Sequence, residues 1–155
     1  MIRAGVKRRL VDVLQHALPQ VKVTYTWDGD DATDHTLYLG LTVGQLDPET
    51  IGRENLERDD WTIGCMLELF GHPDGEAAER AVEDALSAID AVLRRAKRLK
   101  FPDGELDDGD ADSYRGIYNV LLAQVDGPYH SNPNLHGGDL CIGFAQFDLR
   151  CTADL

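Results

Sequence analysis

Positive charge is scarce in this chain. Fifteen Lys and Arg stand against 28 Asp and Glu, so the formal net charge is −13 and the pI lies near 4.6. Affinity for nucleic acid comes largely from neutralising phosphates with Lys and Arg, so this balance argues against stable binding to DNA or RNA. Cysteine is sparse too. Cys65, Cys141 and Cys151 are odd in number and far apart, which points to thiols buried as small hydrophobes in a reducing cytoplasm. No run approaches the roughly 20 apolar residues of a membrane-spanning helix. Residues 1–9 are basic and lead into an amphipathic stretch, unlike the apolar segment of a signal peptide. Motifs for nucleophilic and phosphate chemistry are missing: there is no Gly-x-Ser-x-Gly elbow, no Gly-x4-Gly-Lys-Ser/Thr loop and no Gly-x-Gly-x-x-Gly.

What is present suits one folded domain over residues 1–155. The chain is 43% hydrophobic and 28% charged, and its length can bury a core without disulfide or metal staples. Ile2, Val6, Leu10, Val13, Leu14 and Ala17 recur at three- and four-residue spacings, predicting a helix that Pro19 ends, with Lys7, Arg8 and Arg9 beside the apolar stripe. Residues 21–27 alternate as a half-buried strand, and Leu37, Leu39, Leu41 and Val43 predict a second. Residues 44–60 lack a period and read as a long loop. The strongest strand is 61–70, where Met66 and Phe70 make the second face partly apolar, a pattern of strands that are central or covered on both sides.

Asp74 is the expected N-cap of a helix over 76–99, with His72 in the turn before it. Its apolar face runs through Ala78, Val82, Ala85, Leu86, Ile89 and Leu93. Acids crowd its start and Arg94, Arg95, Lys97, Arg98 and Lys100 its end, as the macrodipole favours. Strands near 117–125 and 140–151 follow, separated by an irregular stretch from Gly127 to Gly138. This order predicts an α+β fold: a mainly antiparallel sheet of about five strands, with an N-terminal helix and one long central helix packed on it.

Candidate chemistry reduces to ordinary surface features. The acids of 107–112 miss the calcium-loop pattern, because counting back from Gly109 puts Gly104 in the first ligand position. His130, His136 and Cys141 lack the close pairs of a zinc site. No catalytic residue, no metal ligand and no cofactor is therefore expected. The basic run at 94–100 is a helix end that is also suited to an acidic surface, such as a neighbouring copy.

The helix ending at Pro19, the strands 21–27 and 61–70, the Pro73-Asp74-Gly75 turn into the long Glu/Ala/Arg helix, and the two closing strands together resemble the tail terminator proteins of long-tailed bacteriophages. That resemblance implies a structural virion protein of the tail or neck, assembled in the host cytoplasm and not an enzyme. It implies a homohexameric ring that caps the head-proximal end of the tail tube and contacts tube subunits and head-completion or connector proteins. DNA would pass through such a ring without specific binding, and no membrane is involved. Arg94, Arg95 and Arg98 are then expected to meet an acidic neighbour, and Tyr129 and Leu135 to anchor a partner. The alternatives are another head–tail joining or tube protein, or a small carboxylate-lined ligand-binding or enzyme domain.

Overall fold

The computed structural model describes residues 3–26, 35–47, 58–95, 117–132 and 140–154. In chain order these form α1 (Arg3–Ala17), β1 (Lys22–Thr24), β2 (Thr36–Asp47), β3 (Arg58–His72), α2 (Gly75–Arg95), β4 (Ile117–Ser131) and β5 (Cys141–Asp154). The fold is α+β. Its strands make one sheet in the order β1-β2-β3-β5-β4, antiparallel except for the β1–β2 pair.

The period of two decides which face is buried. Trp61, Ile63, Cys65, Leu67 and Leu69 of β3 lie in register with Cys151, Leu149, Phe147, Ala145 and Gly143 of β5, and all ten point to one side. On that side α2 buries Ala78, Val82, Leu86, Ile89 and Leu93, while α1 buries Val6, Leu10 and Leu14. Each fully buried Leu or Ile contributes about 1.5–3 kcal/mol from surface removed from water. Gly143 allows α2 to lie close, because a Cβ there would stand 2.4 Å from the Ala78 carbonyl oxygen. At the helix start, the Ala77 amide donates to Asp74 Oδ1 at 2.8 Å, so Asp74 is the N-cap. No helix among the described residues is long and apolar enough to cross a membrane.

Several sequence expectations need correction. β1 spans three residues, not seven, and runs parallel to β2. Strand pairing extends to Asp47 in β2 and starts at Arg58 in β3, narrowing the expected loop. β3 is paired on both sides there, so ladder bonding prevails where the hydrophobic period is absent. His72 is the last residue of β3, not part of the turn. β4 continues through Gly127 and Pro128 to Ser131, because an edge strand tolerates a residue without an N–H on its outer side. Two register shifts, at Ala123/Asp126 and Asp126/Tyr129, absorb the irregularity.

Lys7 was expected beside the apolar stripe, yet it is buried at 6% exposure. Its Nζ donates to the Gly40 carbonyl at 2.8 Å and lies 4.3 Å from the centre of the Tyr25 ring. Gly40 sits in the bulge between Leu39 and Thr42, so the lysine supplies a donor where the ladder is interrupted. Burial lowers the Lys7 pKa, partly offset by Cys65.

Candidate functional site

The two edges of the sheet differ in chemistry. At the β1 edge the Gln15 side chain of α1 takes the place of a neighbouring strand: Nε2 donates to Val21 O at 2.7 Å and Leu18 O at 3.2 Å, and Oε1 accepts from the Val23 amide at 3.1 Å. That edge is sealed. At the other edge β4 is 15 residues long, and no described strand pairs with its outer side. It exposes Leu121 (56%), Val125 (44%) and Tyr129 (46%). An unpaired strand carrying large apolar side chains is a template for pairing with another chain.

The sheet face opposite the helices continues this surface. β3 is the central strand, as its two apolar faces suggested, and Met66 and Phe70 are half-buried on this side. Tyr129 stacks against Phe144 with ring centroids 5.5 Å apart, and its hydroxyl donates to Asp126 Oδ1. This hydrogen bond and the charge of Asp126 raise the phenol pKa.

The expected interface residues divide. Tyr129 lies on the open edge. Arg94 is exposed, but its Nε contacts Asp90 Oδ2 at 2.9 Å one helical turn back, a pair worth about 0.3–0.5 kcal/mol in general. Arg95 is exposed at the same helix end. Arg98 and Leu135 lie outside the described residues, as do the acids of 107–112 and His136.

A second feature was not anticipated. A groove of about 350 Å³ opens between the C-terminal end of α1, the start of α2 and the β2–β3 corner. His35, just before β2, and His72, ending β3, line it with ring centroids 6.3 Å apart. Antiparallel pairing brings the start of one strand to the end of the next, and that alone could have suggested the pair. The Phe70 amide donates to His35 Nδ1 at 3.0 Å, so the His35 proton sits on Nε2. That nitrogen has no lone pair free for a metal. Among the described residues, no group of three or more His, Cys, Asp or Glu is placed to hold a metal ion. Among the described residues, Asp84 is the one carboxylate that lines the groove.

His72 is disfavoured as a cation by burial and by the neighbouring His35, so its pKa lies below 6.5. Between that lowered value and 6.5 the unfolded chain binds more protons than the folded one, so stability from this group rises with pH. A His72→Gln variant should therefore gain stability relative to the parent as pH falls through and below this window. Paired urea titrations at pH 7.5 and pH 5 measure it, and a pH-independent difference would refute the assignment.

The three cysteines are buried and form no disulfide, and burial raises the Cys65 pKa, so that thiol is not poised as a nucleophile. No protein-family model matches this chain, and no curated protein matches it.

Proposed function

We propose that this chain is a structural virion protein of the tail-terminator kind, a ring subunit that caps the tail tube and joins it to head-completion proteins. The observation that carries this reading is the asymmetry of the sheet: one edge is sealed by Gln15, while the other is long and apolar and pairs with no described strand. A monomer that worked alone would be expected to blunt such an edge. In a ring the β4 edge and the open face around Tyr129 and Phe144 supply subunit contacts. Six chains of charge −13 would surround the conduit with negative potential, which lets DNA slide through without being held.

Size-exclusion chromatography with light scattering should give six times the 17.2 kDa chain mass. Leu121→Lys with Val125→Lys should return the particle to a monomer with unchanged circular dichroism. Imaging of assembled particles should locate the protein at the neck. A parent chain that stays monomeric at high concentration and is absent from the neck overturns the proposal. The groove favours a second reading, a ligand-binding domain, which is compatible with assembly because it lies away from β4.

A further inference from the structure

We infer that the groove between α1, α2 and the β2–β3 corner is a binding site for a small neutral phenol. Its walls come from Leu18, Val21, Leu69, Ala81 and Ala85, so the body of the ligand must be apolar. At about 350 Å³ it has the size of a small-molecule site. The polar end is specified by the two imidazoles. His35 presents an Nε2–H, because its Nδ1 already accepts from Phe70. His72 Nε2 is buried and makes no hydrogen bond among the described residues. An orphaned buried nitrogen is costly, and a ligand hydroxyl toward which the His72 ring turns recovers that cost.

A hydroxyl both donates and accepts, so it suits this pair whichever way His72 is protonated. A carboxylate or phosphate does not. Asp84 lines the same groove, no Lys or Arg among the described residues does, and the chain as a whole is strongly acidic. A flat ring also matches imidazoles inclined by only 27° to each other.

The test uses 4-methylphenol titrated into the full chain, followed through the imidazole carbon-bound proton signals assigned with His35→Gln and His72→Gln. Saturable shifts of both rings are expected. Toluene, which lacks the hydroxyl, should bind about tenfold more weakly, the factor that corresponds to about one hydrogen bond. The 4-methylbenzoate anion should not compete. Ala85→Leu, which fills the groove, should abolish the shifts with circular dichroism unchanged; if it disturbs the fold, Ala81→Leu serves the same purpose. Absence of saturation up to the solubility limit overturns the inference. Equal affinity for toluene, preference for the anion, or shifts that survive filling of the groove would do so as well.

Discussion

Gly143→Val should cost roughly 3–5 kcal/mol, within the range of severe overpacking and strain, and so consume a large share of the roughly 5–15 kcal/mol that holds a domain together. A Cβ at Gly143 would stand 2.4 Å from the Ala78 carbonyl oxygen, and 2.9 Å from both its carbon and Val82 Cγ2. Two of these three atoms are backbone of α2, so no rotamer change relieves the clash. The helix must lift, and it carries Val82, Leu86, Ile89 and Leu93 out of the core with it. Urea denaturation followed by tryptophan fluorescence would show the loss, because Trp61 lies in the same core at 2% exposure. Gly143→Ala should show a smaller loss in the same direction. An unchanged midpoint for the valine variant would mean that α2 does not rest on β5 as described.

The second large effect is expected at Gln15. Gln15→Ala removes one side chain and leaves Val21 O and the Val23 amide without their partner, while Leu18 O keeps its bond from the Val21 amide. Each partly buried backbone group left unsatisfied costs about 1–3 kcal/mol, with water recovering part of it, so a total of about 2–4 kcal/mol is expected. The change should also open the β1 edge. Hydrogen exchange at Val23 should rise well before global unfolding, and the variant should form species larger than those of the parent at the same concentration. If exchange at Val23 is unaltered, the glutamine is not what closes that edge.

Much of the architecture was legible because it depends on local patterning. The alternation at Trp61, Ile63, Cys65, Leu67 and Leu69, the Asp74 cap and the heptad-like spacing of α2 each follow from near neighbours in the chain. Less of the candidate site was legible. Tyr129 was singled out and does lie on the β4 edge, but within a strand, inside the stretch from Gly127 to Gly138 expected to be irregular. Arg94 was expected to seek an acidic neighbour and engages Asp90 on its own helix. His130, placed in the same irregular stretch, lies on β4 with Nδ1 3.0 Å from Glu79 Oε2 on α2, a contact across 51 positions that no local pattern encodes.

The sequence by itself determined the acidity, the order of helices and strands, and which residues of β3 form the buried face. All three are properties of composition or of short-range periodicity. Only the tertiary structure decided that β1 runs parallel to β2, that Gln15 seals one edge while β4 leaves the other open, and that Lys7 is buried against a bulge. It also brought His35 and His72 together at one groove. The physical reason is common to all of these. Each depends on which distant backbone groups become neighbours when the sheet closes, and unpaired donors and acceptors then recruit whatever side chain lies within reach.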